Sequence, residues 1–259
     1  MIDICTAILC SMIACLVSIG ETSLRWLPIP VRYVWTVVGD LCSLVVLAVL
    51  WWFDLEKGDP EHVQGVPVLF IHGFLGSSNN GIYLKHSLDK YRSVFTVNLG
   101  DPRLSIEEYA RKVRRKVEQI CAHSGSKKIV LVGHSMGGLV AQEYCYSYAE
   151  QDGVQIEQII ALGTPFRGTS AAHLATFFSR AAKDMLPGSA SLSTLQEKAS
   201  GDCMTRYVCV ATETDVMIRP PSSAREGGRR CVIEDLYATG HISLLFSKQV
   251  AQRLLAALR

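Results

Sequence analysis

The sequence predicts an α/β domain built on a mostly parallel six-stranded sheet with helices on both faces, preceded by two long apolar segments. Three observations point there. Short apolar runs rich in β-branched residues alternate with longer segments of helical spacing, which is how βαβ units and a parallel sheet read in sequence. One such run, Ile129 to Val132, ends in Gly133-His134-Ser135-Met136-Gly137, and a helix-compatible stretch, Leu139 to Tyr148, follows directly. The mean hydropathy of the 259-residue chain is +0.21, and its apolar excess sits before Asp54.

Ile4 to Ile19 is nearly free of charge, and Val34 to Phe53 is apolar apart from Asp40. A bilayer core takes about 20 apolar residues, so the second segment is long enough to cross it and the first is marginal. Trp26, Trp35, Trp51 and Trp52, all the tryptophans of the chain, lie in or beside these segments, a placement suited to the membrane interface. A cleaved signal peptide is the rival for the first segment, but no Lys or Arg precedes it to form a charged leader. Residues 1–53 therefore read as a transmembrane hairpin. Asp40 at mid-bilayer would cost about 2.5–3.5 kcal/mol unless it faces the other helix or lies off-centre. Arg25 and Arg32 sit between the two segments, whereas only Lys57 follows in the next stretch. The positive-inside rule then places the rest of the chain on the extracytoplasmic side.

Residues 54–65 are polar, with Gly58, Pro60 and Gly65, and read as a linker to a domain over 66–259. Strands are expected at 66–71, 91–99, 129–132, 156–162, 207–211 and 231–236. The clearest helix is Ser105 to Cys121, where Ile106, Tyr109, Val113, Val117 and Ile120 recur at helical spacing and Ser105 with Glu108 forms a capping box. Its Arg111, Lys112, Arg114, Arg115 and Lys116 read as a solvated basic face. Ile82 to Leu88 and Ile242 to Leu258 are the other plain helices. Between the fourth and fifth strands, Leu174, Phe177, Phe178, Ala181, Met185 and Leu186 predict a further helix that ends at Pro187-Gly188.

Twenty-six Lys and Arg against 24 Asp and Glu give no reason to propose a nucleic-acid partner. Nine cysteines without C-x-x-C or Cys/His ligand spacing argue against zinc. Buried free thiols are expected, with a Cys203–Cys231 bridge as the alternative.

A strand, a sharp turn carrying a serine and a helix make a nucleophile elbow. Serine needs a base to take its proton and a third group to orient that base. His241, between the last strand and the last helix, is the candidate base. The acid should follow the fifth strand, where Glu213 and Asp215 both stand; Asp215 is favoured, and Glu234 and Asp235 fall within a strand pattern. His134 reads as packing or hydrogen-bonding within the elbow rather than as the base, and His62, His86, His123 and His173 as surface or lid residues. The oxyanion of a tetrahedral intermediate needs backbone donors. Met136 after the nucleophile and Phe74 in His72-Gly73-Phe74 after the first strand are assigned that role.

These motifs carry a resemblance. His72-Gly73-Phe74, Gly133-His134-Ser135-Met136-Gly137-Gly138, Leu162-Gly163-Thr164-Pro165, Asp215-Val216-Met217-Ile218 and Gly240-His241-Ile242-Ser243 are similar to the α/β-hydrolase superfamily. Within it they resemble bacterial triacylglycerol lipases of the small Bacillus type. The resemblance implies an α/β-hydrolase fold and a lipase or carboxylesterase with Ser135, Asp215 and His241 as triad, acting on lipid or acyl esters without metal or cofactor. It also implies that the extra segment at 166–202 is lid-like. Transfer of the acyl group to another alcohol, and a catalytically idle binding module, are the alternative functions.

Overall fold

A computed structural model describes residues 2–24, 26–52, 58–202 and 204–258. In chain order it comprises α1 (Ile2–Ser23), α2 (Ile29–Trp52), β1 (Val68–Ile71), α3 (Ile82–Leu88), β2 (Val94–Val97), α4 (Ile106–Ser124), β3 (Lys128–His134), α5 (Met136–Tyr144), β4 (Gln155–Leu162), α6 (Arg180–Asp184), α7 (Ala190–Gly201), β5 (Arg206–Thr212), β6 (Arg230–Leu236) and α8 (Lys248–Ala257). The strands form one sheet in the order β2-β1-β3-β4-β5-β6, with every neighbouring pair parallel. All six lie where the apolar runs predict them.

Successive strand residues face opposite sides, and this decides which helices cover which face. Leu69, Ile71, Leu131, Ile159 and Ala161 enter one core, with Tyr109, Val113 and Val117 of α4, Leu139 and Val140 of α5, and Leu192 and Leu195 of α7. Val68, Phe70, Val130, Val132, Ile160 and Leu162 enter the other. That second core is closed by Leu84 and Leu88 of α3, Val250 and Leu254 of α8, and also Cys10, Val46 and Leu50 of the N-terminal helices. The apolar helices thus join the core on this side of the sheet, packed against α8 and the turn before it.

Ile29–Leu50 in α2 has a mean hydropathy of 2.1 and is long and apolar enough to cross a membrane; the apolar stretch of α1, Ile8–Ser23, is shorter. The outward side of α2 exposes Val34, Val37, Val38, Leu41, Leu44 and Val45. Asp40 is not on this exposed side. It is buried against the loop that carries His241. Arg32, half of the charge argument for orientation, is ion-paired with Glu213 inside the fold; Arg25 lies outside the described residues.

Two expected helices are broken, for the same reason. Ser179 has extended backbone (φ −123°, ψ 129°) and caps α6 by accepting from the Ala182 N–H at 3.2 Å. The stripe from Leu174 to Leu186 is therefore split, with Ala181 and Met185 buried while Leu174 and Phe177 are exposed on and after a 3₁₀ turn. Ser247 likewise separates a 3₁₀ turn, Ser243–Phe246, from α8 and caps the latter through Val250 N–H. A local hydroxyl acceptor outcompetes helix continuation at both serines.

The Ser105–Glu108 capping box forms as read. The α4 basic residues are partly engaged within the chain: Arg111 pairs with Glu107, Arg114 with Asp152 and Lys116 with Asp59. The linker is pinned as well, since His123 Nε2 meets Pro60 O at 2.9 Å and Lys85 Nζ donates to Gly58 O at 2.8 Å. Cys209 and Cys231 are bonded to each other between β5 and β6, contrary to the expectation of free thiols there. The alternative partner, Cys203, lies outside the described residues.

Candidate active site

Strand β3 ends at His134 and α5 begins at Met136, so Ser135 alone makes the turn. Its backbone (φ 55°, ψ −125°) lies where side chains other than glycine are rarely found, a conformation costing roughly 1–3 kcal/mol unless its surroundings over-determine it. They do so here. The Ser135 N–H donates to Leu162 O at 2.8 Å, and Gly138 N–H to Ser135 O at 3.1 Å. A Cβ on Gly133 would collide with the Gly137–Gly138 backbone, and one on Gly137 with the Ile71 carbonyl. Both glycines are required for strand and helix to approach this closely.

Of the four acidic candidates, one reaches the histidine. His241 Nδ1 lies 2.8 Å from Asp215 Oδ2, with both side chains almost completely buried. Asp215 Oδ1 accepts from the N–H groups of Met217 at 2.8 Å and Ile218 at 2.9 Å, which orients the carboxylate. The other three are paired elsewhere: Glu213 with Arg32, Glu234 with Arg253 and Asp235 with Arg225. Because Nδ1 donates to Asp215, Nε2 of His241 is left as the basic nitrogen. Burial opposes the imidazolium, but Asp215 and then Asp40 outweigh it and hold the His241 pKa above its ordinary 6.5. Asp215 is held below the usual carboxylate range: its burial is outweighed by His241 and by the backbone donors.

His134 joins the two halves of the site. Its Nε2 meets the main-chain oxygen of His241 at 2.9 Å, and the two rings lie 4.8 Å apart. Burial lowers its pKa to about 3, so it is neutral and Nε2–H donates. His72 does similar work at the first-strand loop. It accepts the Leu99 N–H at Nε2 (2.9 Å) and donates from Nδ1 to Gly73 O (2.8 Å), with its pKa lowered by burial to about 4. These histidines fasten loops rather than titrate near neutrality.

Gly73 approaches so closely that a Cβ there would lie 2.9 Å from Ser135 Cβ. Phe74 follows, and Leu75 at φ 57° completes a turn in which Gly76 N–H donates to Gly73 O at 3.1 Å. Met136 opens α5, where first-turn N–H groups lack intrahelical acceptors. The Phe74 and Met136 loops thus flank Ser135. The Phe74 ring stacks on Phe178 at 6.1 Å and Phe178 meets Phe177 edge-on at 4.9 Å; Phe177, Leu75 next to Phe74, and Met217, whose N–H donates to Asp215, are exposed. Glu21, the contacts of Asp40 with the His241 loop, the tie from His72 to Leu99 and the reach of His134 to His241 O escaped sequence reasoning. For Asp40 a signal existed: the spacing of Arg32, Thr36, Asp40 and Ser43 is a polar stripe on an apolar helix.

Residues 66–184 match a family model described as alpha/beta hydrolase fold. The structure is similar to the mature lipase BlEst2 of Bacillus licheniformis, with a TM-score of 0.61 and 17% identity, covering 78% of this chain and 94% of that one. It is also similar to lipase B of Aspergillus fumigatus, with a TM-score of 0.65 and 17% identity over 74% of this chain and 52% of that one. A 56-residue stretch is 32% identical to phospholipase A(1) LCAT3 of Arabidopsis thaliana, covering 22% of this chain and 12% of that protein. The match thus spans a small part of that relative. The chain has the α/β-hydrolase fold and resembles the small bacterial lipases.

Proposed function

We propose that this chain is a membrane-associated serine hydrolase that cleaves carboxylic esters of lipids or acyl chains. The observation that carries this reading is the buried Asp215–His241 pair, bonded at 2.8 Å and tied through His134 to the elbow that holds Ser135 at positive φ. In this mechanism His241 Nε2 takes the Ser135 Oγ proton as Oγ attacks the ester carbonyl, and Asp215 steadies the imidazolium. The Phe74 and Met136 N–H groups hold the oxyanion, a contribution worth about 10²–10³ in rate per donor. Collapse expels the alcohol, which takes the proton from His241. A water then gives its proton to His241 and attacks the acyl-enzyme, releasing the acid and the serine.

The likeness to lipases supports an ester substrate. The exposed Leu75 and Phe177 at the Phe74–Phe178 stack, and the exposed Met217 next to Asp215 in the acid loop, support an acyl chain as its apolar part. On this reading residues 166–202 act as a lid-like cover. The exposed apolar side of α2, with Trp26 at its start, supports attachment to a membrane. Because the opposite side is packed on the catalytic loops, attachment in the plane of the surface fits better than a crossing.

A fluorophosphonate probe on wild type and Ser135→Ala tests the mechanism, with p-nitrophenyl esters of increasing chain length alongside. The reading expects labelling that vanishes in the alanine variant and turnover that rises toward long chains. Folded protein that neither labels nor turns over any ester would overturn it.

A further inference from the structure

Among the described side chains of the two apolar N-terminal helices, Glu21, Arg32 and Asp40 face the loops that carry Asp215 and His241. Asp40 is 7% exposed. Its Oδ2 accepts the His241 N–H at 3.0 Å, and its Oδ1 accepts the N–H groups of Ile242 (3.0 Å) and Ser243 (2.9 Å) and the Ser243 hydroxyl (2.8 Å). All four contacts are donors to it, which favours the carboxylate, although burial, with Asp215 nearby, outweighs Ser243 and His241 and raises the Asp40 pKa above its ordinary value. A Cβ on Gly240 would collide with this carboxylate, so only glycine admits Asp40 here. One and two turns earlier on the same side of α2, Thr36 Oγ1 donates to Thr214 Oγ1 at 2.8 Å, Tyr33 OH to Glu213 O at 3.4 Å, and Arg32 pairs with Glu213. From α1, Glu21 accepts from Thr239 Oγ1 at 3.2 Å and from the Ser247 hydroxyl.

We infer that α2 is a splint across the two loops that carry Asp215 and His241, with Asp40 a positioning residue that fixes His241 through its backbone. The inference rests on the triad reading above. Residues 32, 33, 36, 40 and 43 fall on one helix face, which reaches the acid loop at one end and the base loop at the other. His241 is then held at three points: its N–H by Asp40, its carbonyl by His134 and its Nδ1 by Asp215. A base that must meet Ser135 Oγ within hydrogen-bond reach loses rate steeply when displaced, about 10²-fold for 1 Å. The apolar hairpin is on this account part of the catalytic apparatus as well as its attachment to a membrane.

The groups facing His241 are Asp215 from the loop after β5, His134 from the elbow and Asp40 from α2, with Glu21 reaching the same loop from α1. Removing the Asp40 charge leaves the imidazolium with one carboxylate fewer and lowers the His241 pKa. The test uses the full chain in detergent micelles or lipid bilayers, comparing wild type, Asp40→Asn and Thr36→Val for fluorophosphonate labelling rate, ester kcat and KM, pH profile and thermal unfolding. Asp40→Asn keeps the shape and loses the charge. It is expected to lower kcat by about 10- to 100-fold, the range for hydrogen bonds to a charged group, with KM little changed and the acidic limb of kcat/KM moved to lower pH. Thr36→Val, which touches the acid loop only, is expected to lower kcat by up to about 10-fold, and it decides the matter if Asp40→Asn does not fold. Variants that unfold at lower temperature yet keep wild-type kcat and pH profile per labelled site would overturn the splint, leaving Asp40 a packing residue. A wild type inert to the probe would instead overturn the hydrolase reading, and the splint with it.

Discussion

The elbow and the loops opposite it hold their reactive side chains by different means. Ser135 is fixed by its neighbours in sequence: strand β3 before it, helix α5 after it, and glycines two residues to either side that let the backbones meet. Asp215 and His241 sit in loops whose supports come from far away, Asp40 being 201 residues from His241 in the chain. The first arrangement is a local solution that any chain with this motif can adopt. The second depends on a helix docked from outside the motif. On the proposed mechanism, damage to the elbow should therefore act on the fold and Ser135 directly, while damage to the docked helix should act through the placement and charge of His241.

The largest effects separate the two sides cleanly. Ser135→Ala should abolish labelling and reduce ester turnover by at least about 10⁴-fold, measured as kcat, with the fold intact, since alanine keeps the Cβ. Asp215→Asn should reduce kcat by about 10⁴-fold with KM nearly unchanged, because an amide no longer enforces the tautomer that leaves Nε2 basic. Gly137→Ala should lower stability by about 1–3 kcal/mol or more, since the new methyl meets the rigid Ile71 carbonyl. Calorimetry would register this as a Tm lower by several degrees. Arg32→Met should do far less: the pair with Glu213 is part-exposed on the Glu213 side, so loss of kcat should stay below about fivefold.

Histidines on both sides make a smaller, pH-dependent difference. His72 and His134 are buried neutral, with pKa values lowered to about 4 and about 3. The unfolded chain binds their protons more readily, so the stability they confer is complete above 6.5 and declines as pH falls toward those values. His241 has the opposite sign. Its raised pKa favours the folded chain below 6.5, a gain lost as pH rises through the folded value. Chemical denaturation at a series of pH values should show the first pair dominating the acid side.

Much of this was legible in the sequence. The six strands, the capping box at Ser105 and the elbow were readable because each is encoded within a dozen residues by periodicity, a cap or glycine spacing. Chain order narrowed the partner of His241 to Glu213 or Asp215, and Asp215, the one favoured, is the one bonded to it. Neither Ser179 nor Ser247 announces a helix break, because a serine in a helical pattern is ambiguous until its hydroxyl finds a backbone N–H. Asp40 was misread for a deeper reason. In an apolar segment a lone carboxylate looks like a cost to be explained by a bilayer, and its partners, the amides of residues 241–243, have no sequence signature at all.

The most direct measurement is the titration of His241 itself, followed by NMR in full-length protein labelled at histidine nitrogens. The account predicts a midpoint above 6.5 in wild type, lowered in Asp215→Asn and lowered by a smaller step in Asp40→Asn. A midpoint at 6.5 that neither substitution moves would contradict both the pairing and its support from α2.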